Sequence, residues 1–273
     1  MRGIRVIKIF CLLSFLCSCA RAPKKRETLR VISLVPSITE IIYALGKESY
    51  LVGNTVYCDY PEAAKKVYKV GDFANPSLEK IYALKPDLVF LTLPTQKIIQ
   101  DKLTGLGIKT FASCPKDLLS FLKEIKEIGK FLGAEKEADS LSQYLKSGIE
   151  RIHFPPLKIY VEISPQPLIT IGKDSFLSDL LTHCGLENIF SDLIEEYPMV
   201  KIEDVIKRDP DVILILHPLA EKEDMAKRIG FDKIKAVKEG KIISSFNPDL
   251  LLRPGPRIVI GLDSLKKILA ANP

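Results

Sequence analysis

The sequence predicts an α/β protein of two doubly wound lobes with mainly parallel sheets, joined by one long α-helix, with a ligand cleft between the lobes. Three observations predict it. Short β-branched runs alternate with helical stripes through the whole body, which implies parallel strands covered on both faces. A helix, turn and strand recur at a constant offset of 124 residues. Between the copies lies an amphipathic stretch too long for a routine crossover.

The elements follow in order. Val31-Ile32-Ser33-Leu34-Val35 reads as a buried strand, Pro36-Ser37 as a turn and helix start, and Ile38, Ile41, Ile42 and Leu45 as a helical face closed by Gly46. The same unit recurs as Asp87 to Leu93 followed by Ile98 to Leu103, then Lys109 to Ala112 followed by Leu118 onward. Leu118, Phe121, Leu122, Ile125, Ile128 and Leu132 form one stripe, and after Gly133 the positions Ala138, Leu141, Leu145, Ile149 and Ile152 form another. Residues 135 to 152 make a helix of about 27 Å at the α-helical rise, and Pro155-Pro156 ends it. A second strand-and-helix series starts at Leu157 to Ile163.

The repeat is read from two blocks. Glu79 to Leu91 and Glu203 to Ile215 each carry a glutamate seven residues before a Pro-Asp pair and an apolar strand. Thr39 up to Gly46 and Ser178 up to Gly185 correspond more loosely. Two facing α/β lobes create a cleft at their strand ends, where ligands of such folds bind.

Of 273 residues, 47% are hydrophobic and 27% charged, proportions that exclude disorder, collagen-like repeats and a small disulfide scaffold. The formal charge of +6 is scattered, with no basic run longer than Lys24-Lys25-Arg26, so nucleic acid is not an expected partner. Arg2, Arg5 and Lys8 precede the apolar run Ile9 to Leu16, the pattern of an export signal too short to span a membrane. Leu16-Cys17-Ser18-Cys19 resembles the bacterial lipobox, with Cys19 as the lipidated residue and Cys17 the poorer candidate after bulky Leu16. The other reading is an ordinary secretory signal with incidental cysteines. Residues 1–18 are thus a signal peptide, 19–28 a tether, 29–117 an N-terminal lobe, 118–156 the helical linker and 157–273 a C-terminal lobe. Besides Cys19, the exported chain keeps Cys58, Cys114 and Cys184, an odd number whose pairing stays open.

Arg30 to Glu40, Tyr57-Cys58-Asp59-Tyr60-Pro61, Val70-Gly71, Asn75-Pro76-Ser77-Leu78-Glu79, Leu84 to Val89, Gly185-Leu186-Glu187-Asn188-Ile189-Phe190 and Gly255-Pro256-Arg257-Ile258 together resemble the periplasmic vitamin B12-binding proteins of the BtuF type. These are substrate-binding proteins of ABC importers, of the class with a rigid helix between the lobes. The resemblance implies an exported monomer, lipid-anchored to a bacterial membrane and facing the periplasm or exterior. It captures cobalamin or another corrinoid and delivers it to a permease and its ATPase, with no cofactor of its own. Relatives of FecB and FhuD type capture ferric siderophores or haem. The absence of Trp departs from the family's cleft pattern and leaves those ligands open.

Carried over by motif, Tyr57 and Phe73 form the first-lobe wall, and Tyr197 and Phe246 the second. Flat aromatic faces suit a macrocycle, burying large area with little side-chain entropy loss. His217, after the strand Val212 to Leu216 and before Pro218, is expected at the cleft edge as a hydrogen-bonding group or an axial ligand to a bound metal. Arg253 is expected to meet ligand carboxamides or carboxylates, and Arg257 to anchor helix and loop. Glu79 and Glu203 offset their helix dipoles; the resemblance adds a role as the paired permease-docking acids. The other class considered, an exported lipoprotein enzyme, lacks the common hydrolase and nucleotide motifs. A structural or adhesion lipoprotein does not account for the two-lobe pattern.

Overall fold

The computed structural model describes residues 28–218 and 227–271. The expected signal sequence, Cys19 and the expected tether up to residue 27 lie outside the described residues.

The first sheet has four parallel strands in the order β2-β1-β3-β4: β1 Val31–Ser33, β2 Leu51–Asn54, β3 Leu88–Thr92 and β4 Thr110–Ser113. Its helices are α1 Pro36–Ala44, α2 Leu78–Ala83 and α3 Lys97–Gly105. The second sheet centres on β5 Lys158–Pro165, which pairs on one side with β8 Val212–Ile215 and on the other with β7 Glu187–Asn188. Beyond β8 lies β9 Ile242–Ile243. The parallel order β7-β5-β8-β9 thus repeats β2-β1-β3-β4. The second sheet adds β6 Leu168–Thr170, antiparallel to the end of β5. Its helices are α6 Phe176–His183, α7 Ile202–Arg208, α8 Lys235–Lys238, α9 Asp249–Leu252 and α10 Ile258–Ala271.

The Pro-Asp repeat has a physical meaning. Asp87 Oδ2 accepts the backbone N–H of Arg30 at 2.8 Å, and Asp211 Oδ2 accepts that of Lys158 at 2.8 Å. Each aspartate therefore ties the start of its own strand to the start of the sheet's central strand. The bends before them match as well: Lys85 and Asp209, 124 residues apart, hold φ of 46° and 44°, a left-handed conformation that side chains rarely adopt.

The connection between the sheets is a helical hairpin. Helix α4, Leu118–Leu132, starts in a capping box between Asp117 and Ser120 and stops at Gly133, whose φ of 60° favours glycine. Helix α5, Glu135–Glu150, runs back along it. Ser142 Oγ donates to the Leu122 carbonyl at 3.3 Å, Lys126 pairs with Asp139 at 2.8 Å, and a Cβ on Gly129 would overlap that of Ala138. The long helix expected over 135–152 is therefore one arm of a two-helix connection, because Gly133 folds the two stripes onto each other. Both arms hold the second lobe. The Leu118 N–H donates to Asp179 of α6, the Phe121 and Phe176 rings meet edge to face at 5.3 Å, and Gly148 of α5 admits Val259 of α10. One apolar core consequently runs from β1 and α1 through the hairpin to α6, β8 and α10.

Candidate ligand-binding cleft

At the carboxyl ends of β1, β3 and β4 the two lobes enclose a cleft of about 750 Å³, within the range of small-molecule sites. Tyr57, Phe73, Tyr197 and Arg253 all line it.

Tyr57 sits on a loop wound around a lysine. Lys69 Nζ donates to Asn54 Oδ1 at 2.8 Å and to the carbonyls of Thr55, Cys58 and Ala64, each at 3.1 Å. Burial pulls the Lys69 ammonium below the usual lysine range. Because these loop carbonyls all converge on one charge, the segment is held and Tyr57 projects outward, half-exposed. Phe73 is positioned by buried Gln96, whose amide donates to the Phe73 carbonyl at 2.6 Å and accepts the Thr92 N–H at 2.9 Å. Gly71 makes the preceding turn at φ 133°, where a Cβ would meet the Pro76 Cα at 2.9 Å. At the exit of β4, Ser113 Oγ and the Cys114 N–H donate to Glu124 of α4 at 2.5 and 3.2 Å. Burial pushes the Glu124 carboxyl up despite those bonds.

The second-lobe wall comes from the loop carrying Glu196 and Tyr197. Gly172 donates its N–H to the Glu196 carbonyl at 3.0 Å, and a Cβ there would overlap the Glu195 carbonyl. Burial pushes the Glu196 carboxyl up, against the pull of the Tyr197 hydroxyl and of Lys116.

Arg253 is not a free cation. Its guanidinium donates to Asp59 at 2.6 Å, lies 2.9 Å from Asp249 and 3.6 Å from Glu40. Burial raises the Asp59 carboxyl, but Arg253 outweighs it and holds the group below the usual aspartate value. Arg257 grips Glu40 with two bonds of 2.8 and 2.5 Å and stacks over the Tyr60 ring at 4.1 Å. Glu40 lies on α1, so these pairs fasten the C-terminal segment to the first lobe.

Two residues expected in the cleft stand elsewhere. Phe246 is buried in the common apolar core and does not line the cleft. The apolar run before it, Ile242-Ile243, is the short edge strand β9, and the chain after it turns inward. His217 is also buried, its Nε2 2.9 Å from Glu162 Oε1. Fully buried Glu162 further accepts two bonds from Arg228, at 2.6 and 2.8 Å, and one from Tyr160 Oη at 3.1 Å. A carboxylate facing inside the lobe thus holds the imidazole away from the cleft lining. Glu79 and Glu203 are exposed in the first turns of α2 and α7, and neither has an ion-pair partner among the described residues. Cys58, Cys114 and Cys184 are free thiols, the first and last buried.

Sequence reasoning missed Asp72 and Glu196 as cleft residues, and Asp59 as the partner of Arg253. It also missed Glu162, although an acid inside the apolar run Ile159 to Ile163 was a usable signal.

Two similar α/β lobes, a helical connection and a cleft between the strand ends define a two-lobed solute-binding protein. The chain belongs to the periplasmic binding protein family, whose model matches residues 31–245. It is 36% identical over 258 residues to an uncharacterized ABC transporter substrate-binding lipoprotein of Bacillus subtilis, covering 88% of this chain and 80% of that protein. It is 31% identical to a vitamin B12-binding protein of Vibrio vulnificus, covering 86% and 88%. Among solved structures, the vitamin B12-binding protein BtuF of Vibrio cholerae superposes with a TM-score of 0.72 at 28% identity, covering 89% and 97%. A possible iron-binding protein of Staphylococcus epidermidis does so at 0.77 and 32%, covering 89% and 99%.

The protein is therefore a substrate-binding component of an ABC importer, of a transport family and not an enzyme family, and such components work with a permease and an ATPase. No helix among the described residues is long and apolar enough to cross a membrane.

Proposed function

We propose that the cleft captures cobalamin or a related corrinoid, as a lipid-anchored, monomeric component tethered through Cys19. The reading is supported above all by the convergence of Tyr57, Phe73 and Tyr197 on one interlobe space of about 750 Å³, since stacked aromatic walls suit a flat macrocycle. The vitamin B12-binding relatives add to it. Arg253 contributes by shaping the floor. His217 and Phe246 act from behind the walls, as supports.

Calorimetric titration of the chain lacking its first 19 residues, with cyanocobalamin, cobinamide, haem and ferric chelates, tests the ligand. Submicromolar corrinoid binding is the expected result; tight haem or siderophore binding with none of corrinoid refutes it. The haem or iron-chelate reading is favoured by the iron-binding structural relative. Glu79 and Glu203, exposed at equivalent points of the repeat, dock onto basic residues of the two permease subunits, where paired charges set orientation and encounter rate. Metabolic labelling with a radioactive lipid precursor tests the anchor: label lost in Cys19→Ala is expected, and label retained overturns it.

A further inference from the structure

The electrostatics of the cleft suggest a rule for which macrocycles enter. Among the described residues that line it, only three are charged: Asp72, Glu196 and Arg253. The single cation is already surrounded, with Asp59 at 2.6 Å, Asp249 at 2.9 Å and Glu40 at 3.6 Å. Of those partners Glu40 is shared with Arg257, so two guanidinium groups face three carboxylates. Nearby Lys116 does not line the cleft and lies 3.9 Å from Asp174. Asp72 spends one oxygen on the Asn75 N–H at 2.5 Å, leaving its second oxygen as an acceptor. The walls thus offer acceptors and negative charge, and no cation without carboxylate partners.

We propose that this cleft selects by charge, admitting a macrocycle whose rim carries amides and rejecting one whose rim carries free carboxylates, with Asp72 and Glu196 as the specificity-determining residues. A primary amide brings two N–H donors, and a bond to an ionised acceptor is stronger than a neutral one. A carboxylate brings only acceptors and a like charge, in a partly desolvated space where repulsion is stronger than in water. The same two side chains therefore attract one rim and repel the other. The choice of corrinoid probes rests on the reading above, whereas the charge argument does not.

The test compares cyanocobalamin with the derivative in which one peripheral propionamide is hydrolysed to propionate, by calorimetry near neutral pH. The wild-type protein is expected to bind the amide at least about tenfold more tightly, equivalent to about 1.4 kcal/mol, with the ratio shrinking as salt is added. In the double variant Asp72→Asn/Glu196→Gln the ratio is expected to fall to about twofold, given the loss of both like charges. Asp59→Asn, which removes one carboxylate from Arg253 without touching the lining, is expected to lower the ratio by improving binding of the acid. This gain cannot come from misfolding. A wild-type ratio near one, or a ratio unchanged in both variants, overturns the proposal. If neither corrinoid binds, the ligand reading falls and haem against its dimethyl ester decides the charge rule alone. A preference for the ester supports it, and equal or tighter binding of the free diacid overturns it.

Discussion

Glu40 and Glu162 are both buried carboxylates gripped by the two arms of an arginine, yet they join different things. Glu162 and its partners Arg228, His217 and Tyr160 belong to one lobe, none of the partners more than 66 residues from Glu162. Glu40 reaches Arg257 across 217 residues, from α1 of the first lobe to the approach of α10. One cluster fixes the inside of a lobe; the other fixes one lobe against the other. A buried ion pair is weak evidence for stability in itself, because desolvation offsets much of the attraction, but removing one partner leaves the rest exposed to the full penalty. The pair of sites therefore separates local stability from lobe arrangement.

The largest expected effect is at Glu162. Glu162→Ala removes the acceptor shared by three side chains and should destabilise by about 3–5 kcal/mol, read as a lower urea midpoint with an unchanged slope. Glu40→Ala should lower stability by about 2–4 kcal/mol. It should also change the solution scattering profile, because the contact it removes lies between the lobes. If both variants change scattering alike, the two clusters do not divide the work as described.

A third measurement uses acid. Burial raises the Asp211 carboxyl, but Lys235 and the Lys158 N–H outweigh it and hold the group below the ordinary aspartate value of 3.8. The folded state then binds this proton less readily than the unfolded state. Its stabilisation is complete above that value and lost as pH falls through the depressed one. Denaturation between about pH 5 and pH 2.5 should show a shallower acid loss in Asp211→Asn than in the wild type. The smallest effect on stability is expected for Glu79→Ala/Glu203→Ala, within about 0.5 kcal/mol because both groups are exposed. That variant should bind ligand as before and fail in transport, and uptake at the wild-type rate would remove the docking role.

Much of this architecture was legible because it obeys periodicity. The stripe at Leu118, Phe121, Leu122, Ile125, Ile128 and Leu132 is buried throughout, and Gly133 stands in the left-handed conformation expected of a helix stop. The Pro-Asp repeat was visible because each copy needs the same aspartate to tie the same two strands. The cleft was only partly legible. Tyr57, Phe73 and Tyr197 stand beside motif residues that a linear pattern can carry. Asp59 and Arg253 are 194 residues apart, and Glu162 and Arg228 are separated by 66, so no local pattern reports either pair. Phe246 and His217 show the opposite limit. Their neighbours in sequence marked a strand end, and whether a side chain at a strand end faces cleft or core depends on what packs behind it.

The loop around Lys69 carries a consequence for how the wall holds its shape. Four oxygens gather on one ammonium in the manner of ligands around a small ion, but this ion is covalently part of the chain. Its local concentration does not change with the medium, so the platform bearing Tyr57 is insulated from swings in dissolved salts and chelators. The same economy makes it a single point of failure, since neutralising one amine would release the wall from its centre while leaving the sheet beneath it whole.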